Sequence, residues 1–191
     1  MLIERPNMAL ATLLNQEITM KRLNHSLVLL TTLLMLAAPS YAQEHILSKI
    51  NIQASPETVW QVLTQFEQYP QWSQFIQTIA TEDKASIQVG KNLKVKVVPP
   101  NEDGMEFTPQ VLVFNVNKEL RWKGDIAGMS ILFSGEHYFQ LERTASNHTT
   151  LTHGEEFHGW LLPLLWGTIS QNTPKGFENF NNAIKVKAES I

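Results

Sequence analysis

One stretch, residues 131–160 with the sequence ILFSGEHYFQLERTASNHTTLTHGEEFHGW, constrains the fold more than any other part of the chain. It reads as two strands joined by a polar turn at Thr144-Ala145-Ser146-Asn147-His148. Strand side chains alternate between faces. Phe133, Gly135, His137, Phe139 and Leu141 therefore share a face, as do Leu151, His153, Glu155 and Phe157 on the second strand. These are the more apolar faces and are expected to point inward. A hairpin centred on Ala145, Ser146 and Asn147 sets Leu141 opposite Leu151, Phe139 opposite His153 and His137 opposite Glu155. A slip of one residue would turn every one of them outward.

The inward faces thus carry three ionisable groups: His137, His153 and Glu155. Three readings compete for them. Buried polar groups commonly satisfy one another, which makes a structural pair. The same groups could anchor the polar end of a ligand in an apolar cavity. A catalytic or metal-binding role is the third. Two histidines and a carboxylate suffice for a metal ion, yet no ligand-spacing motif is present and no metal is expected. His158 lies on the opposite strand face from His153 and makes a poor ligand partner for it.

The start of the chain points to export. Lys21 and Arg22 follow Met20, and residues 27–38 (LVLLTTLLMLAA) form an apolar run. Pro39-Ser40-Tyr41-Ala42 then supplies small residues before a cut. This is the pattern of a secretory signal peptide spanning 20–42, cleaved after Ala42, within a leader spanning 1–42. Residues 1–19 carry Glu4 and Glu17 ahead of a pattern that begins cleanly at Met20, where translation is expected to start. The protein is therefore expected to be periplasmic or secreted. The alternative is an uncleaved N-terminal membrane anchor, although the run is short of the ~20 apolar residues of a spanning helix. There is no cysteine, which excludes disulfides, thiolate catalysis, lipobox anchoring and cysteine zinc sites. A net charge of -3 gives no nucleic-acid signature.

The remainder, 43–191, is large enough to hold one core without disulfides. Residues 46–53 alternate as a first strand. Ser55, Pro56 and Glu57 give an N-cap, a proline in the first helical turn and an acid beside it. Val59, Trp60, Leu63 and Phe66 follow at helical spacing. Tyr69-Pro70 is expected to interrupt that helix, and 71–77 to form a second short one presenting Trp72, Phe75 and Ile76. Strands with turns follow: Leu93, Val95 and Val97 alternate with Lys94 and Lys96; 110–116 is mostly apolar; Leu120 and Trp122 oppose Arg121 and Lys123. Residues 124–130 make a small-residue loop with exposed-looking Ile126 and Met129, either a mobile lid or a tight connection. From Leu162 a helical stripe runs through Phe177, Phe180, Ile184 and Ala188, with a kink or break expected near 171–173 because of Pro174. No phosphate loop and no nucleophile elbow is present.

In this order, several short segments resemble a known family. They are Ala54-Ser55-Pro56-Glu57-Thr58-Val59-Trp60, Phe66-Glu67-Gln68-Tyr69-Pro70-Gln71-Trp72, Glu119-Leu120-Arg121-Trp122, Phe133-Ser134-Gly135-Glu136-His137, His153-Gly154-Glu155-Glu156-Phe157 and Gly176-Phe177-Glu178-Asn179-Phe180-Asn181. Together they resemble the SRPBCC superfamily of START-like, helix-grip proteins, in particular its polyketide cyclase/dehydrase and lipid-transport branch. Pro174 falls where such proteins run an unbroken helix, and the export signal is unusual for a mostly cytoplasmic branch.

The resemblance implies an α+β helix-grip fold: a curved antiparallel β-sheet wrapped around a long C-terminal helix, with two short helices after the first strand. It also implies a cavity for a hydrophobic small molecule or lipid between sheet and helix. Its expected lining is Trp60 from the first helix, Val95 and Trp122 from the strands, and Phe133, His137 and Phe139 with His153, Glu155 and Phe157 from the hairpin. Phe177, Phe180 and Ile184 complete it from the last helix. The expected function is that of an exported carrier, monomeric, without cofactor, touching a membrane transiently and binding no nucleic acid. One alternative is a cyclase or dehydratase using His137 or His153 with Glu155 as orienter. Another is a chaperone-activator-like interaction protein. One fold hosts all three.

Overall fold

The expected hairpin forms the middle of the main sheet in the computed structural model, which describes residues 20–22, 42–81 and 86–191. Strands β7 (Ser134–Ala145) and β8 (His148–Gly159) pair with Leu141 opposite Leu151, Phe139 opposite His153 and His137 opposite Glu155. Apolar residues inward and charged ones outward fix that register, because a slip would bury Glu142 and expose Phe139. β1 (Ala42–Ile52) lies along the free edge of β8, from Ala42 opposite Gly159 to Ile52 opposite Thr149. It starts four residues earlier than the alternation from Ile46 suggests, since β8 continues as a template to Gly159. With β6 (Glu119–Asp125) and β5 (Gln110–Asn115) the order is β1-β8-β7-β6-β5.

A second sheet of three strands, β2 (Ile76–Thr81), β3 (Leu93–Val97) and β4 (Met105–Phe107), continues the curvature. Backbone bonds from Gly90 to Val111, Val111 to Lys91 and Leu93 to Pro109 join the two sheets at a corner. The short β4 was not apparent from the sequence.

Helix α1 (Pro56–Thr64) begins as expected, with the Ser55 hydroxyl accepting from the Thr58 N–H. The second helix departs from expectation. α2 is Tyr69–Trp72, preceded by a 3₁₀ turn at Phe66–Gln68, and Ile76 opens β2 instead of ending a helix. Pro70 causes the difference: in a first turn its missing N–H costs nothing, so it starts a helix here.

The C-terminal helix α3 (Leu162–Glu189) also corrects the sequence reading, for it runs unbroken through Pro174. An interior proline costs about 3 kcal/mol. Burial of Phe177, Phe180 and Ile184 on one face of α3 offsets that, at about 1.5–3 kcal/mol per large side chain. Among the described residues no helix is long and apolar enough to cross a membrane. The expected leader's apolar run lies outside the described residues.

Candidate functional site

Strand pairing alone sets the site's axis. His137 on β7 and Glu155 on β8 are cross-strand partners, with His137 Nδ1 3.2 Å from Glu155 Oε2. His153, two residues along β8, turns Nε2 to within 2.9 Å of His137 Nε2. Its Nδ1 lies 2.8 Å from Asn181 Oδ1 on α3. Asn181 Nδ2 donates to the Ser48 hydroxyl on β1 at 3.1 Å. Five side chains from four elements thus form one hydrogen-bonded line through the core.

Aromatic rings hold that line in place. Trp122 stacks on His137 with ring centroids 4.7 Å apart and planes 4° from parallel. Phe177 lies against the opposite neighbour, His153, and Phe139 and Phe180 close the remaining sides of His153. Burial pushes the His153 imidazole well below its usual range, with His137 nearby acting in the same direction and the Asn181 bond opposing. His153 is therefore neutral at pH 7, with one ring N–H.

Proton positions follow from the chain's polarity. Asn181 donates to Ser48, so its oxygen accepts from His153 Nδ1–H, and His153 Nε2 must accept. His137 then donates through Nε2–H. Its Nδ1 meets Glu155 Oε2, and that contact is favourable only if one proton lies between them, on the ring or on the carboxyl. All four imidazole nitrogens are thereby committed, leaving none for a metal ion.

Of the expected lining, Trp122, His137, Phe139, His153, Phe177 and Phe180 come together around this line. Glu155 ends it, with its side chain 20% exposed against 5% for His137. Phe133 and Phe157 lie just beyond, in contact with each other, and Trp166 touches Phe157. On the other side of Glu155, paired glycines Gly124 and Gly135 make room. A Cβ at Gly135 would lie 2.5 Å from Glu155 Oε1, and one at Gly124 would lie 3.0 Å from the Phe107 ring. Glu155 thus has Gly135 beside its Oε1 and buried Phe157 two residues on along the same strand face. Trp60 packs on Phe114 instead, Val95 lies in the second sheet between Ile79 and Phe107, and Ile184 is core on α3.

Two members, Asn181 and Ser48, were missed from sequence. The signal for Asn181 was there: it falls four residues after Phe177 on the buried stripe, a polar intruder of the same kind as His137. Ser48, opposite His153 on β1, gave no such signal.

Beyond Phe133 and Phe157 the sheet ends in exposed apolar groups. Ile126 and Met129 in the β6–β7 loop are joined by Ile131, Trp160 and Leu164, all exposed. Trp160 N–H donates to the Ile131 carbonyl, so the two segments adjoin. Asp125 pins the loop, accepting from Gly128 N–H at 2.9 Å and from the Ser130 hydroxyl at 2.8 Å. It is thus a tight connection, but its apolar side chains are not tucked in.

The sequence of residues 43–188 matches the family model described as polyketide cyclase/dehydrase and lipid transport. The chain belongs to that family. The fold of this cyclase/lipid-transport family member is similar to several solved structures. One is the Zhui aromatase/cyclase from Streptomyces sp. R1128, at 12% identity and a TM-score of 0.62 over 78% of this chain and 94% of that one. Another is a START superfamily protein from Mycobacterium smegmatis, at 19% identity and a TM-score of 0.59 over 76% and 97%. A third is norcoclaurine synthase from Thalictrum flavum, as a point mutant with a transition-state analogue, at 14% and 0.60 over 79% and 97%. These likenesses establish the curved-sheet, long-helix fold. A comparison with curated proteins found no match. The family and fold support hydrophobic-ligand binding or cyclase-like chemistry.

Proposed function

We propose that this family member is an exported carrier of a lipid or other hydrophobic small molecule. The supporting observation is the position of Glu155. It is a partly open end of a line whose two histidines are sealed in aromatic packing, and it shares its strand face with buried Phe157, which touches the partly buried Phe133 and Trp166. That is the composition of a ligand site: apolar walls with one polar group to orient the guest. The cyclase reading asks His137 or His153 to exchange protons with a substrate, yet both have each ring nitrogen engaged within the line. The exposed apolar rim at Ile126, Met129 and Trp160 suits transient contact with a membrane during loading. The support for export is the signal-peptide pattern of residues 20–42; a cut after Ala42 would remove one edge position of β1 and leave the sheet intact.

The test is native mass spectrometry of protein purified without detergent, before and after solvent delipidation. The expected result is a bound species of small-molecule mass that delipidation removes. Protein that carries nothing, and that takes up neither aliphatic nor aromatic probes after delipidation, would overturn the carrier reading.

A further inference from the structure

The geometry points to a hydrophobic ligand whose polar end donates a hydrogen bond to Oε1 of Glu155: a hydroxyl, phenol or ammonium, and not a carboxylate. This rests on the carrier reading and narrows it.

The argument starts from the two carboxyl oxygens. Oε2 faces His137 Nδ1 at 3.2 Å, and the shared proton of that contact lies between those two atoms. Oε1 points the other way, over Gly135. With the proton on the ring, Glu155 is a carboxylate and Oε1 accepts. With the proton on Oε2, Oε1 is the carbonyl oxygen of a carboxylic acid and accepts again. Turning the Asn181 amide over reverses every bond of the line, so that His137 Nδ1–H donates to an ionised Glu155, and Oε1 still accepts. A proton on Oε1 would forfeit the charge-assisted bond to His137. Whatever the proton arrangement, the site shows the guest an acceptor.

Among the described residues the ion pair made by Glu155 is the one with His137. Its cross-strand neighbours are Ile46 on β1 and His137 on β7, Oε1 lies over Gly135, and Phe157 follows on the same face of β8. Arg121 and Lys123 of β6 lie on the strand face opposite Trp122. Arg121 is held there by Glu119 and Glu136, over the Tyr138 ring. A guest carboxylate would bring a second acceptor against Oε1 with no cation between them, in surroundings that magnify like-charge repulsion.

The experiment compares three probes that share one alkyl chain: dodecan-1-ol, dodecylamine and dodecanoate, titrated into delipidated full-length mature protein at neutral pH. The alcohol and amine are expected to bind about ten- to a hundredfold tighter than dodecanoate, the span of one hydrogen bond to a charged or partly charged acceptor. Glu155→Leu should abolish that ranking. Glu155→Gln should keep the alcohol, since the amide carbonyl replaces Oε1, and weaken the amine. If Glu155→Leu does not fold, Gly135→Ala serves, because its methyl displaces the flexible carboxyl end and should compress the same ranking. Dodecanoate binding as tightly as the alcohol, or a ranking unchanged in these variants, overturns the inference while the carrier reading stands. Failure of all three probes to bind overturns the inference, and overturns the carrier reading with it when aromatic probes fail as well.

Discussion

His153 lies flat on Phe177, with ring centroids 3.7 Å apart and planes 16° from parallel. An imidazole held this way, fully buried between aromatic rings, stays neutral because the charged form would lose its hydration. Its pKa in the folded state lies well below the usual imidazole value of about 6.5. The unfolded chain then binds a proton below about pH 6.5 that the folded chain refuses, so stability falls as pH falls through and below that value. The slope from this one group reaches about 1.4 kcal/mol per pH unit. Urea midpoints measured between about pH 7 and pH 5 should show it, and His153→Gln should flatten the curve.

Two helical glycines should respond oppositely to alanine. Both lie in α3, where alanine is worth about 1 kcal/mol over glycine. A Cβ at Gly167 meets nothing within 4 Å, so Gly167→Ala should stabilise by that amount. At Gly176 a Cβ would collide with the Phe75 ring, and overpacking costs about 1–3 kcal/mol. Gly176→Ala should therefore be destabilising in net, as read by chemical denaturation of the pair side by side.

Phe180 touches Tyr69, Trp72, Phe139 and His153. Phe180→Ala should lower stability by about 3–5 kcal/mol and weaken ligand capacity. An unchanged melting temperature would show that the buried stripe of α3 does not carry the core.

At the rim, Ile126→Ser with Met129→Ser should leave stability within about 0.5 kcal/mol, as for exposed positions. Transfer of ligand to and from lipid vesicles should slow. Equal transfer rates would assign the exposed rim no part in loading.

Export has its own measurement. Terminal sequencing of the processed protein is expected to begin at Gln43, outside the cytoplasm. A soluble cytoplasmic form retaining Met20 would contradict it.

Much of this was readable in the chain because it depends on local alternation. The β7–β8 register, the Ser55 cap and the inward placement of His137 and His153 each follow from a period of two or from a cap next to its helix. What could not be read depends on meetings between distant elements. Asn181 joins the line only because α3 crosses the sheet at His153, and spacing within α3 says nothing of what lies opposite. The second helix was misplaced because Tyr69-Pro70 carries two meanings, stop and start, and only the preceding 3₁₀ turn selects the second. Pro174 reads locally as a break, whereas the packed stripe around it decides.

The bond between Asn181 and Ser48 spans 133 positions of sequence, and among the described residues β1 finds its only strand partner in β8. The first strand therefore has no near neighbour with which to form early structure. Long loops must close before β1 gains its strand partner, and such topologies fold slowly. A chain emerging from a ribosome or a translocation pore would keep β1 unpaired until β8, more than a hundred residues later for much of its length, had followed it out. That lag leaves the N-terminal part of the domain threadable for most of its synthesis, a kinetic property well matched to passage across a membrane in the unfolded state.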